Sequence, residues 1–304
     1  MTKMSLVIGM IGALTLACPG RSQEKPDASK YFLASGQTEI SAGGRPSPVR
    51  AELPFNLYQG YLVVVEGRIG PVKKLQFILD TGVTHSVVDQ KLAATLHLPV
   101  RPAEIFNINK TARIGRTSFP DVQFGPVQAG DISMLVADLA HFSEFATHID
   151  ALIGIDLLRL NNLTIDNISK KLLFEPVEQP ASEGTIKADP VCLIAKVDLQ
   201  GEPVRLIVDT GLQGVVLYED RVLKRIPALV IERKTEVDIG WRLRPKQVTI
   251  PSVRIGASEI HPKVWLVRGP PEGVLPGIDG FLGTSSLEAR WIKFNFATNT
   301  LSWQ

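Results

Sequence analysis

Across 304 residues the chain carries 33 Lys and Arg against 31 Asp and Glu, a formal net charge of +2. So even a balance, with no basic run, gives no foothold for nucleic acid or for an anionic membrane surface. Hydrophobic residues make up 44% and charged residues 21%, the composition of a packed globular protein long enough for two modest domains, and 25 Gly with 21 Pro favour a turn-rich β fold.

The first expected element is not part of the fold. Lys3 is followed by the apolar stretch MSLVIGMIGALTLA and then by Cys18, Pro19 and Gly20. This is the pattern of an export signal, too short to span a membrane comfortably, and it assigns residues 1–18 to a signal peptide. Cys18 after LTLA resembles the lipidation site of bacterial lipoproteins, which would anchor the chain to a membrane. Simple cleavage after Ala17 is the other reading. Either way the protein is expected to be exported: periplasmic, membrane-anchored as a lipoprotein, or secreted. Residues 19–50 are polar and rich in Ser, Gly and Pro, and read as a flexible tether. Without Cys18, Cys192 is alone and no intramolecular disulfide can form. Its setting, VCLIAKV, suggests an inert thiol within a buried strand.

Short apolar or alternating runs then dominate. LVVVEGRI and KLQFIL, bounded by Gly and Pro, have the pattern of half-buried strands. SVV at residues 86–88 and VVL at residues 215–217 read as further strands. Residues 89–99, DQKLAATLHLP, suggest a short helix capped by Asp89 and stopped by Pro99. IDALIGIDLLRL, from residue 149, suggests a second one with Asp150 as its N-cap, and Asp279 is read in the same capping role. No long amphipathic helix and no regular alternation of strand and helix is visible. The expected fold class is all-β with a few short helices.

The chain also repeats itself. FILDTG ends at Gly82 and LIVDTG ends at Gly211, which places Asp80 and Asp209 at a separation of 129 positions (209 − 80 = 129). IDALIG from Ile149 and IDGFLG from Ile278 keep the same offset (278 − 149 = 129), and so do TIDNISKKLLF and KFNFATNTLSW. One shared tripeptide would be weak, but a shared frame marks a duplication. It divides the chain into lobes at residues 51–178 and 186–304, with a linker-like seam, EQPASEGT, at residues 178–185.

A carboxylate at the end of a buried apolar strand is costly unless it is hydrogen-bonded or paired. Thr81 and Thr210 can supply hydroxyls, while Gly82 and Gly211 allow a tight turn that aims backbone N–H groups at the carboxylate. If pseudo-twofold symmetry brings the loops together, Asp80 and Asp209 cannot both ionise and hold one proton between them. One is then an acid and the other a base able to activate a water.

With these motifs the chain resembles the aspartic proteases, specifically the bacterial retropepsin-like group, arranged as a two-lobed single chain as in the pepsins. The resemblance rests on both apolar-Asp-Thr-Gly loops and on ALIG and GFLG, which in that family pack beneath the loops. It implies two pseudo-symmetric lobes of the acid-protease β-barrel type, Asp80 and Asp209 as a catalytic dyad hydrolysing peptide bonds, and Thr81 and Thr210 as a cross-lobe lattice. Gly82 and Gly211 would shape the turns. It implies a peptide or protein substrate, no cofactor, no metal, and a monomeric active unit, since one chain carries both loops. Substrate-covering hairpins are expected around RIGR (Ile114, Gly115) and DIGWR (Gly240, Trp241). Val83 and Leu212 stand where acid-acting pepsins carry a hydroxyl, which points to a mildly acidic to near-neutral optimum. The competing reading is a non-catalytic exported binding protein on the same duplicated scaffold.

Overall fold

The computed structural model describes residues 15–17, 50–107, 110–140, 142, 148–176, 192–226, 229–234, 237–238, 242–243, 245–250, 252–270 and 275–304. Cys18, the tether before residue 50, the seam at residues 178–185, Gly240 and Trp241 lie outside the described residues.

In chain order the first half forms β1 (Thr15–Ala17), β2 (Ala51–Pro54), β3 (Asn56–Tyr58), β4 (Leu62–Ile69), β5 (Val72–Leu79) and β6 (Val87–Asp89). After helix α1 (Gln90–Thr95) come β7 (Arg101–Asn107), β8 (Lys110–Phe124), β9 (Val127–Ala137) and β10 (Ala151–Ile153). Helix α2 (Ile155–Leu158) leads into β11 (Asn162–Asp166) and β12 (Lys171–Glu175). The second half opens with β13 (Ile194–Leu199), β14 (Glu202–Asp209), β15 (Val215–Tyr218) and helix α3 (Glu219–Val222). Then follow β16 (Val230–Lys234), β17 (Val237–Asp238), β18 (Arg242–Leu243), β19 (Lys246–Thr249), β20 (Val253–Ile255) and β21 (Ser258–Ile260). Strands β22 (Val264–Val267) and β23 (Gly280–Gly283), a 3-10 turn, β24 (Trp291–Asn295) and β25 (Thr300–Trp303) complete the chain.

Two nine-stranded mixed sheets build the two lobes. The first runs β1-β7-β8-β9-β6-β10-β5-β4-β3, and the second β16-β19-β22-β15-β23-β14-β13-β20-β21. Residues 15–17, expected to lie outside the fold, pair here with β7. From the outer hairpin inward, seven consecutive positions match: β7 to β16, β8 to β19, β9 to β22, β6 to β15, β10 to β23, β5 to β14 and β4 to β13. The register is repeated too. Ala151 pairs with Phe77 in one parallel ladder and Gly280 with Leu206 in the other, each member displaced by the sequence offset. The fold is therefore mostly β with short helices and two pseudo-symmetric lobes, as the repeat requires.

A third sheet, β2-β12-β11-β24-β25, joins the lobes. The hairpins formed by TIDNISKKLLF and KFNFATNTLSW lie side by side in it, with Leu163 of β11 opposite Phe294 of β24. One large apolar cluster runs through both lobes and this sheet, including Phe77, Phe119, Phe174, Leu206, Leu217 and Phe294. A smaller one, with Tyr61, Val83, Ile105, Leu135 and Leu152, lies on the other face of the first sheet beneath the β7–β8 hairpin.

Several local expectations change. Asp89 caps α1 as its sequence suggests, accepting from the Lys91 N–H at 2.8 Å, and the helix ends well before Pro99. Asp150 is not a cap. Residues 151–153 form β10, which pairs in parallel with β5, and α2 starts only at Ile155, with Gly154 as its N-cap. Asp150 instead accepts the backbone N–H of Gln76 at 2.8 Å, and Asp279 accepts that of Arg205 at 2.9 Å, so each pins the strand that leads to an Asp-Thr-Gly loop. Asp279 also meets Arg225, at 2.6 Å. Cys192 precedes β13 and is half-buried rather than enclosed within a strand.

Candidate active site

Strand β5 ends one residue before Asp80 and β14 ends on Asp209, and both aspartates stand where the lobes meet. Asp80 and Asp209 are 0% and 1% exposed, so both carboxyls are withdrawn from bulk water. Each is held by its own turn: the Gly82 N–H donates to Asp80 Oδ1 at 2.9 Å, and the Gly211 N–H donates to Asp209 Oδ1 at 2.7 Å. The other oxygen of each, Oδ2, has no donor among the described residues.

The threonines cross between the lobes. The Thr81 N–H donates to Thr210 Oγ1 at 3.0 Å, and the Thr210 N–H to Thr81 Oγ1 at 3.1 Å. Each hydroxyl then donates onward, Thr81 to the Val208 carbonyl at 2.9 Å and Thr210 to the Leu79 carbonyl at 2.7 Å. Each hydroxyl thus accepts one bond and donates another, which fixes both loops in one relative position. Ser would supply the same hydroxyl, but without the methyl that stiffens χ1.

The glycines are required by space. A Cβ on Gly82 would lie 2.5 Å from Asp209 Cγ and Oδ2, and one on Gly211 would lie 2.5 Å from Asp80 Oδ2. Each turn therefore presses on the carboxyl of the opposite lobe. The same holds one layer below: a Cβ on Gly154 would lie 2.7 Å from the Val83 carbonyl, and one on Gly283 would lie 2.3 Å from the Leu212 carbonyl. This is the physical reason for the glycines in ALIG and GFLG. Replacing Gly82 by Ala is expected to push the two loops apart, lower stability by about 1–3 kcal/mol, and remove the activity proposed below. Thermal melting and peptide cleavage of the purified variant check both.

Burial pushes the Asp80 carboxyl upward, to about 7, against the opposing pull of Asp209 and of the Gly82 N–H. Asp209 is raised well above the usual carboxylate range by burial first, then by the charge of Asp80. The two groups share one environment and one proton over a wide pH span. One carboxyl can donate while its neighbour accepts.

Residues 63–157, within the first lobe, match the aspartyl protease family. The match spans β4 to α2 and contains Asp80, the β7–β8 hairpin and ALIG. Against curated proteins the chain shows no match.

Within the matched region, the β7–β8 hairpin turns at a place other than the expected one. β7 and β8 pair from Arg101 with Arg116 out to Asn107 with Lys110, so the apex falls between Asn107 and Lys110. Ile114 and Gly115 lie within β8, on its base. Ile114 packs, half-buried, against the apolar cluster that contains Val83. Gly115 serves packing: a Cβ there would lie 2.4 Å from Val100 Cγ1 and 3.0 Å from Val136 Cβ. In the second lobe β17 and β18 pair Val237 with Leu243 and Asp238 with Arg242, a hairpin at the expected position. Its apex, Gly240 and Trp241 included, lies outside the described residues.

Two further titratable groups stand near the first loop: His85, whose place three residues past Gly82 already suggests nearness to the cleft, and Asp156, which the motifs do not mark. His85 is pushed down to about 4 by burial and by the Arg116 charge, and is neutral at ordinary pH. Asp156, in the first turn of α2, accepts from the Ser86 N–H at 2.9 Å and the Ser86 hydroxyl at 2.7 Å. Its only sequence signal is a break in the repeat, because the corresponding positions of the second lobe hold Ser285 and Val215.

Proposed function

We propose that the protein is an aspartic endopeptidase in which Asp80 and Asp209 activate a water for attack on a peptide bond. The observation that carries this reading is the pair of buried carboxyls, each anchored through Oδ1 to its own turn and each left with an Oδ2 that no protein donor among the described residues satisfies. In the singly protonated pair, the charged carboxylate takes a proton from the water as it attacks the amide carbonyl, and the protonated carboxyl hydrogen-bonds to the carbonyl oxygen. The proton taken up then passes to the amide nitrogen, the C–N bond breaks, and the pair returns to its starting state. No covalent intermediate forms and no cofactor is called for.

The proposal extends the aspartyl protease match of the first lobe to the second. It is supported by the repeated strand order, the shared register and the reciprocal threonine bonds. A scaffold used only for binding has no need of two carboxyls buried against each other at a cost in stability. The substrate is a peptide segment held between the lobes, under the β7–β8 and β16–β19 hairpins. One chain supplies both loops, so the active unit is a monomer.

A pool of quenched-fluorescence peptides, incubated with the purified protein with and without pepstatin, tests the reading. Cleavage that pepstatin blocks, at a specific activity constant on dilution, is the expected result. Absence of cleavage throughout the pool would favour the binding reading, and activity lost on dilution together with dissociation of a dimer would remove the monomer.

A further inference from the structure

The two lobes place their catalytic loops alike but hold the exits of those loops differently. In the second lobe the loop leaves Gly211 through Leu212 into β15. Its exit is fixed by backbone bonding between the Gly283 N–H and the Gly214 carbonyl at 2.8 Å, and by the Ser285 hydroxyl on the Leu212 carbonyl at 3.3 Å. Val215 is apolar and fully buried. No carboxylate takes part among the described residues.

In the first lobe a charged group occupies the equivalent junction. Asp156 Oδ2 accepts the Ser86 N–H at 2.9 Å, and Oδ1 accepts the Ser86 hydroxyl at 2.7 Å and the Leu157 N–H at 3.0 Å. Ser86 is 0% exposed, and its Oγ also accepts from the Gly154 N–H at 3.0 Å. The Ile155 N–H donates to the Val83 carbonyl at 2.8 Å. Loop residues on either side of Thr84 and His85 are thereby tied to the start of α2. Burial raises Asp156 to about 6 against the pull of these donors.

The second lobe closes the matching junction by other means: Gly214, at φ 81°, presents its carbonyl to the Gly283 N–H. His85 stands in that place in the first lobe, and there the Gly154 N–H is taken by the Ser86 hydroxyl, which Asp156 holds. We propose that Asp156, acting through Ser86, is a positioning residue that fixes the exit of the Asp80 loop and hence the aim of the Asp80 carboxyl at the reacting water. The inference rests on the proteolytic reading of Asp80 and Asp209 and goes beyond it by assigning the two lobes unequal duties. The Gly82 N–H that anchors Asp80 stands only four residues before Ser86, so slack at Ser86 is transmitted to the anchor.

Two readouts test this, one of them independent of activity. In Asp156→Asn an amide nitrogen must face one of the donors, and in Ser86→Ala the hydroxyl is gone. Both variants are expected to lower kcat on a fluorogenic peptide cleaved by the parent about 10- to 100-fold, as small misplacements do, with KM changed less than roughly two-fold. Ser86→Thr keeps the hydroxyl and should recover most of kcat. Ser285→Ala, at the matching place in the second lobe, should lower kcat by less than Ser86→Ala does. Hydrogen exchange followed by mass spectrometry should show faster exchange over residues 82–86 in Asp156→Asn and Ser86→Ala, with residues 211–215 unchanged. Unaltered exchange over residues 82–86 in a folded variant would overturn the proposal, and so would faster exchange with kcat intact. A parent that cleaves no peptide defeats the proteolytic reading instead, and the exchange result alone then decides whether Asp156 holds the loop.

Discussion

Asp80→Asn and Asp209→Asn are each expected to abolish turnover and, at neutral pH, to make the protein more stable. The two effects have one cause. With one carboxyl replaced by an amide, either the acid or the base is missing, and the loss should be roughly 1,000-fold or more in kcat/KM. Groups that act as a unit are non-additive, so the double variant should be little worse than either single one. Stability moves the other way because both carboxyls are raised by burial. For a carboxyl whose folded pKa lies above its unfolded value, the folded state binds the extra proton. Its contribution to stability is complete below about pH 4 and is lost as pH rises through the folded value, about 7 for Asp80. At neutral pH the parent therefore bears the full cost of a buried charge beside a second carboxyl. The amide introduced by Asp80→Asn removes that charge, keeps an oxygen to accept the Gly82 N–H, and offers an N–H to Asp209 Oδ2, which has no donor among the described residues of the parent. A shift of about three pKa units corresponds to about 4 kcal/mol. Partial sharing of the proton with Asp209 reduces this, and a gain of roughly 5–10 °C in melting temperature is expected. Melting curves at pH 7 and pH 4 check it: the gain should shrink at the lower pH, where the parent carboxyls are protonated. A variant that loses activity and stability together would indicate that the carboxyls support the fold.

The parts of this site that were legible in the sequence are those written locally and twice. An apolar strand ending in Asp-Thr-Gly carries its own turn chemistry, and the offset between copies states that two such turns are related by symmetry. The matched sheet orders and the reciprocal threonine bonds follow from that. What was misread depends on contacts between distant segments. ALI at residues 151–153 is too short for periodicity to separate strand from helix, and its pairing with β5 decides the matter. Asp150 then serves Gln76, 74 positions away, rather than the next turn of chain. The expectation of a hairpin around RIGR rests on its place between the Asp loop and the later Gly motif, but Gly115 is there for a close approach to Val100 and Val136. The true turn, between Asn107 and Lys110, has no Gly or Pro to mark it. Asp156 and Ser86 lie 70 positions apart, and only a comparison of the two copies position by position sets them apart from the frame.

The pH dependence of cleavage follows from what stands beside the carboxyls. A hydroxyl on the residue after Asp-Thr-Gly could donate to the carboxylate and favour its charged form. Here Val83 and Leu212 occupy those positions, 0% and 1% exposed, and they exclude water while offering no donor. Thr84, the nearest hydroxyl that could substitute, meets His85 Nδ1 at 3.1 Å and is not among the groups that move the Asp80 carboxyl. The pair is therefore desolvated with one backbone donor to each side. Below the lower apparent pKa both carboxyls are protonated and no base remains; above the upper one both are charged and no acid remains. With Asp80 raised to about 7 and Asp209 raised as well, the active window moves upward, so kcat/KM is expected to be bell-shaped with its centre at roughly neutral pH. His85, pushed down to about 4, titrates below this window and stays neutral within it. Asp156, at about 6, titrates inside it, so a second ionisation on the acid limb should disappear in Asp156→Asn. Val83→Ser and Leu212→Thr each restore a donor to the charged form and lower the pKa of the pair. The double variant should move the optimum acidward by about one unit, measured on the folded fraction because both changes place a hydroxyl in an apolar site. A parent optimum near pH 3, or an optimum that stays in place when both hydroxyls are introduced, would mean that another donor already serves the carboxyls.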